Sequence, residues 1–216
     1  MRHEDTAENY LKTLIAEGEH RHQDFKFAIS DSRKIARSIS AFANTEGGRL
    51  LIGVKDNGSI AGVRSEEEIY MIEAAAERYC TPPARFCSRT FHVEGKTVLE
   101  IDVEEAERKP VCAIDEEERA WAYVRIKDEN ILATPVHLNI WKHDRNEEKV
   151  LVAYTEREQQ VLDVLKRNQP LTLNRCCRHV RLNRKETCRI LADFIRFGLV
   201  ETLFREHTFY YRLKES

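Results

Sequence analysis

Leu50-Leu51-Ile52-Gly53-Val54 is an unbroken apolar run set one residue behind Gly47-Gly48. A strand with no polar alternation has to be covered on both faces, so it demands a layer on each side. The flanking sequence supplies candidates for those layers. A helix opens at Ser30 or Asp31, either a good N-cap, carries Ile35, Ile39, Phe42 and Ala43 on one stripe, and stops before the glycine pair. Upstream, residues 4–16 place Tyr10, Leu11, Leu14 and Ile15 at helical spacing. Between the two helices, Asp24-Phe25-Lys26-Phe27 reads as a short strand with both phenylalanines on one face. Downstream, Asp56-Asn57-Gly58 is a hairpin turn returning through Ile60 and Val63.

Further along, Ser65 and Glu68 have capping-box spacing for a helix running to about Tyr79, which Pro82-Pro83 ends. Strands follow over 85–93 and 97–103, the second with Leu99, Ile101 and Val103 inward, and another over 121–127. Residues 135–153 read as a helix bearing Trp141. From Thr155 the pattern becomes three helices, the third N-capped by Asn183, and then a hairpin around Arg205-Glu206-His207. The expected architecture is an α/β (α+β) body with a mixed sheet over 1–135, a linker helix over 136–153, and a small winged helix-turn-helix over 154–216.

Charge divides along the same line. Residues 154–216 hold 13 Lys/Arg against 8 Asp/Glu, while the rest holds 22 against 29, so +5 and −7 hide inside the net −2. A basic module on an acidic body points to a localised polyanion partner. No run of 18 apolar residues exists, which predicts no membrane span. The start Met1-Arg2-His3-Glu4-Asp5 lacks the apolar core of a signal peptide, and the six cysteines form no CxxC pair. Reduced thiols and a cytoplasmic location are the expectation. Gly95-Lys96-Thr97 mimics the end of a P-loop, but Thr90 stands where its first glycine belongs, so ATP is not expected.

In the third C-terminal helix, an apolar face of Ile190, Leu191, Phe194 and Ile195 leaves Arg184, Lys185 and Arg189 outward, where a recognition helix meets DNA. Arg175, Arg178 and Arg181 suit phosphate contacts just upstream. In the strand 121–127, Trp121, Tyr123, Arg125 and Lys127 share one face, either a stacking surface for bases or a face packed under a helix. Glu19, Asp24 and Asp56 with Lys26 have the chemistry of a divalent-metal site that activates water, although spacing alone does not bring them together.

The stretch Gly18-Glu19-His20-Arg21-His22-Gln23-Asp24-Phe25-Lys26 resembles the opening of the Schlafen/AlbA-type nucleic-acid-binding domain. Ser40-Ala41-Phe42-Ala43-Asn44-Thr45-Glu46-Gly47-Gly48, continuing into Leu50–Val54, Asp56, Gly58 and Gly62, is similar to that family's central motif. Lys109-Pro110-Val111 and Tyr123-Val124-Arg125 also fit, so the resemblance covers about residues 5–135. It implies an α/β nucleic-acid-binding domain, often followed by a winged helix in prokaryotic proteins. Some relatives are RNA endonucleases using three carboxylates, which here would be Glu19, Asp24 and Asp56. His20 stands in place of the usual serine, Asp24 in place of a glutamate, and there is one domain copy instead of two.

The leading expectation is therefore a prokaryotic-type, cytoplasmic nucleic-acid-binding protein, a transcription-regulator-like homodimer favouring duplex DNA over RNA and needing no cofactor to bind. The winged helix would contact DNA, and Lys26, Tyr123, Arg125 and Lys127 would add a second surface. The alternative is a Schlafen-type endoribonuclease in which Glu19, Asp24 and Asp56 hold Mg²⁺ or Mn²⁺ and Lys26 stabilises developing charge. A third reading makes the acidic body a sensing or oligomerisation module without nucleic-acid contact.

Overall fold

The structure, a computed structural model, describes residues 2–63, 65, 67–145 and 155–215. The chain divides into two compact units, Met1–Leu132 and Ala133–Ser216.

The first unit begins with α1 (Arg2–Glu17), β1 (Gln23–Lys26), α2 (Ser32–Ala43), β2 (Gly48–Ile52) and α3 (Glu67–Glu77). It continues with β3 (Cys80–Thr81), β4 (Phe86–Val93), β5 (Lys96–Val103), β6 (Cys112–Ile114), β7 (Ala120–Ile126) and β8 (Glu129–Leu132). One sheet runs β1-β2-β5-β4, with β1 parallel to β2 and the remaining pairs antiparallel, so it is mixed. The other, β3-β6-β7-β8, is antiparallel.

The apolar run behaves as its composition demands. Leu50 and Ile52 pack with Ile35, Ile39 and Phe42 of α2, while Leu51 packs on the other face with Leu11 and Leu14 of α1. Tyr10 adds a polar anchor for α1, its hydroxyl donating to the buried Glu100 at 3.0 Å. α2 starts at Asp31, whose carboxylate accepts the Arg33 N–H, and ends before the glycine pair for a steric reason. A Cβ on Gly48 would lie 2.4 Å from the Phe42 ring, and one on Gly47 would lie 2.9 Å from the Val103 carbonyl oxygen.

Two local expectations change. Glu68 has a longer-range role than a capping box gives it; it is buried, and its Oε2 accepts the Ile29 N–H at 3.2 Å, tying α3 to the segment leading into α2. The short strands Cys112–Ile114 and Glu129–Leu132, to which the sequence pattern assigns no element, flank β7.

The second unit contains α4 (Pro135–Arg145), α5 (Glu156–Asn168), β9 (Leu171–Thr172), α6 (Leu173–Val180), α7 (Arg184–Arg196), β10 (Val200–Arg205) and β11 (Thr208–Leu213). Its sheet is antiparallel in the order β10-β11-β9. Thr155, Thr172 and Asn183 N-cap α5, α6 and α7 through their side chains. The expected linker helix over 136–153 is corrected over its described part. Val136 is buried with Leu191 and Phe194, Ile140 packs alongside, and Arg196 Nε donates to Asp144 at 2.8 Å, so α4 belongs to the core of this unit. The rest of that stretch lies outside the described residues.

Candidate functional site

The first candidate lies where β1 meets α2 and β7. Alternation along β1 turns Phe25 toward α1 and Asp24 toward α2. Asp24 is buried there. Its Oδ2 receives Lys26 Nζ at 2.7 Å and Ser38 Oγ at 3.5 Å, and its Oδ1 faces Arg125 Nη2 at 3.4 Å. Glu19, just before β1, accepts the Phe25 N–H at 2.9 Å. Burial pushes the Glu19 carboxyl up, and its hydrogen bond with Asp24 adds to this. Burial also acts upward on Asp24, but Lys26, Glu19 and Arg125 together hold it below the usual carboxylate range. The pair is thus split into a carboxyl that keeps its proton longer and a carboxylate that stays ionised.

Of the three carboxylates expected to share an ion, the structure brings Glu19 and Asp24 together. Asp56 is exposed on the turn after β2. Among the described residues, no group of three His, Cys, Asp or Glu side chains is placed to hold a metal. An ammonium and a guanidinium already face the Asp24 oxygens, the positions a divalent cation would need. The donor set does not fit Mg²⁺ or Mn²⁺, and no chemical step is derived through either.

The surface expected on β7 is corrected for the same packing reason. Arg125 is 2% exposed beneath α2, its guanidinium 5.0 Å from the Phe42 ring centre. It donates to Asn130 Oδ1 at 2.8 Å and to the Gln23 and His20 carbonyls at 3.2 and 3.4 Å. Tyr123 is half-buried against the α2 core. Arg125 therefore presents no face for stacking bases, and Lys26 is occupied by Asp24 and the Phe25 carbonyl. Lys127 remains exposed on the turn after β7, and Trp121 is partly exposed, its Nε1–H donating to Asp115 at 2.8 Å.

In the second unit the cations fall into two sets. Arg189 is held by Glu158 at 3.0 Å and Asp193 at 2.9 Å, and Arg184 donates to Asn174. Arg157 pairs with Glu186, and Arg212 with Glu201. By contrast, the charged groups of Arg175, Arg178, Arg181 and Lys185 are exposed and carry no ion pair or hydrogen bond among the described residues.

Residues 19–134 match the family described as Schlafen, AlbA_2. The chain belongs to the Schlafen AlbA_2 family. No curated protein matches it. Among solved structures, this AlbA_2 chain is similar to the DIP2311 protein from Corynebacterium diphtheriae at 16% identity and a TM-score of 0.45. That match covers 88% of this chain and 34% of the other, so the chain spans about a third of that protein's length. It is also similar to the N-terminal domain of an ATP-dependent DNA helicase RecG-related protein from Nitrosomonas europaea. There the identity is 26% and the TM-score 0.40, over 56% of this chain and 88% of that one.

The AlbA_2 unit also uses residues to which residue-level reading assigned no role. Asn44 Nδ2 donates to the Val111 carbonyl at 2.7 Å and the Tyr123 carbonyl at 2.9 Å, while its Oδ1 accepts the Val111 N–H at 2.7 Å. Ser40 Oγ donates to the Val111 carbonyl and accepts the Tyr123 N–H, and Thr45 Oγ1 accepts the Arg125 N–H at 2.8 Å. Three polar side chains of α2 and its C-terminal turn thereby complete backbone pairing on β7 and beside β6 that a strand would otherwise supply. Their signal was Ser40 and Asn44 at i and i+4, beside the apolar Ile39, Phe42 and Ala43.

Proposed function

We propose that this protein binds nucleic acid, and that the contact is made by its C-terminal unit, a winged helix-turn-helix. The observation that carries the reading is the set of exposed, unpaired Arg175, Arg178, Arg181 and Lys185 side chains in residues 155–215. Free surface cations are the groups that replace counterions on a phosphate backbone. Two further features support it. The element order α5-β9-α6-α7-β10-β11, with β9 joining the hairpin sheet, is the order the winged-helix reading expects. Membership of the Schlafen AlbA_2 family, with the nucleic-acid role its resemblance implies, points the same way.

In its finer form the protein is a transcription-regulator-like homodimer on duplex DNA, with Arg184 and Lys185 in the first turn of α7 nearest the base edges. The AlbA_2 unit then acts as the scaffold, since its ionic cluster is closed by its own side chains. Fluorescence anisotropy with duplex DNA, single-stranded DNA and structured RNA between 50 and 200 mM salt tests the reading. Affinity that falls steeply with salt and is highest for duplex DNA is expected; no binding to any of the three overturns it. Light scattering tests the dimer, which should weigh twice the 25.3 kDa chain.

A further inference from the structure

We infer that the groove between α5 and α6, and not the outward face of α7, is the main track for the phosphodiester backbone. This rests on the nucleic-acid reading above and assigns its affinity to one surface. α6 has a clean division of faces. Leu173, Cys176 and Val180 are buried, while Arg175, Arg178 and His179 fall at i, i+3 and i+4 on the exposed side. At 1.5 Å per residue, Arg175 and Arg178 stand about 4.5 Å apart along the axis, near enough for their long side chains to serve successive phosphates of one strand.

Two contiguous hollows sharing His179 follow this face, with cavity volumes of about 500 and 410 Å³. Arg175 and Arg178 line the first; Arg167 and Arg181 line the second, where Asp163 is the one carboxylate. None of these four guanidinium groups has a partner among the described residues. Arg181 is turned out by its own backbone, at φ 55° as the C-cap of α6.

α7 offers much less. From Glu186 to Arg196 no residue is fully exposed, because α4 and α5 both pack on this helix. Arg189, which would project next after Lys185, is held by two carboxylates. Arg184 lies in a different cavity, lined also by Asn174 and Thr208. The free charge of the unit therefore concentrates on the α5–α6 side, where it meets backbone phosphates and no base edges.

The test uses the full chain and a 30-base-pair duplex of mixed sequence, measured by anisotropy from 50 to 200 mM salt. Arg175→Ala plus Arg178→Ala should make the plot of log affinity against log salt shallower by about 1.8, at roughly 0.9 for each phosphate that the protein no longer neutralises. Lys185→Ala plus Arg205→Ala should change it less, and Arg175→Lys plus Arg178→Lys should restore the slope. Circular dichroism confirms the fold of each variant, all of which alter exposed side chains. If the wild type binds but the α6 pair keeps its slope and affinity, the groove assignment is overturned while the nucleic-acid reading stands. If the Lys185/Arg205 pair alone abolishes binding, the same conclusion follows. If the wild type binds no duplex at 50 mM salt, both fall together.

Discussion

Arg125→Ala is the sharpest perturbation of the AlbA_2 unit. Arg125 is 2% exposed, and its guanidinium faces Asp24 at 3.4 Å, Gln23 O at 3.2 Å and Asn130 Oδ1 at 2.8 Å. Truncation leaves Asp24 ionised and buried with Lys26 as its one remaining cation. Removing one partner of a buried ion pair costs about 3–5 kcal/mol, most of it the burden of the stranded charge. Hydrogen exchange read by mass spectrometry isolates the effect. Peptides from residues 19–27 and 120–132 should lose protection by that amount, while peptides from 186–196, in the other unit, should not change. Replacing both charges, with Asp24→Leu plus Arg125→Met, should recover a large part of the loss, because neither ion then needs a partner. Nucleic-acid affinity of the folded Arg125→Ala protein should match the wild type. A loss below about 1 kcal/mol, the scale of an exposed pair, would refute the buried-latch reasoning, since it would mean water already solvates Asp24.

Asn44→Ala should destabilise the same unit by roughly 2–4 kcal/mol in urea titrations, because the Val111 N–H and the Tyr123 carbonyl lose their Asn44 bonds at once and the Val111 carbonyl keeps only Ser40 Oγ. Adding 1 mM Mn²⁺ or Mg²⁺, or EDTA, should leave the melting temperature unchanged and produce no cleavage of structured RNA; metal-dependent cleavage lost in Asp24→Ala would contradict the misfit of the donor set. His137 packs against Phe209 and Trp141, and burial pulls its pKa down to about 4. The neutral form is the folded one, so stability is complete above the unfolded value near 6.5 and falls with pH toward 4, by at most about 3 kcal/mol. Calorimetry of the second unit between pH 7 and pH 4 checks this, and His137→Asn should flatten the profile.

Much of this architecture is legible in residue order because the signals are local. The Leu50–Val54 run, the caps at Asp31 and Asn183 and the two glycines each act over a few residues, and the structure follows them. The strands Cys112–Ile114 and Glu129–Leu132 were not legible. At three and four residues they are too short to show a period, and they exist because β7 supplies their partner and α2 their cover. Glu68 shows the same limit: a spacing that suits a cap also serves a long-range bond to Ile29.

Site residues divide by whether their role depends on what covers them. Alternation correctly puts Tyr123 and Arg125 on one face of β7, but it does not say that the α2 helix lies on that face. An arginine beside an aromatic is equally good chemistry for a base and for a buried carboxylate, and only the third layer decides. The same holds for the cations of the second unit. Counting charges treats Arg189 and Arg178 alike, yet Arg189 is neutralised by Glu158 and Asp193, whereas Arg178 faces solvent alone among the described residues. Glu158 lies 31 positions before Arg189, a separation at which a carboxylate has no sequence signature. Binding to a polyanion depends on the charge left over after such pairing, because a cation already matched releases no net counterion advantage. For this chain that remainder keeps Arg175, Arg178, Arg181 and Lys185 and leaves out Arg189.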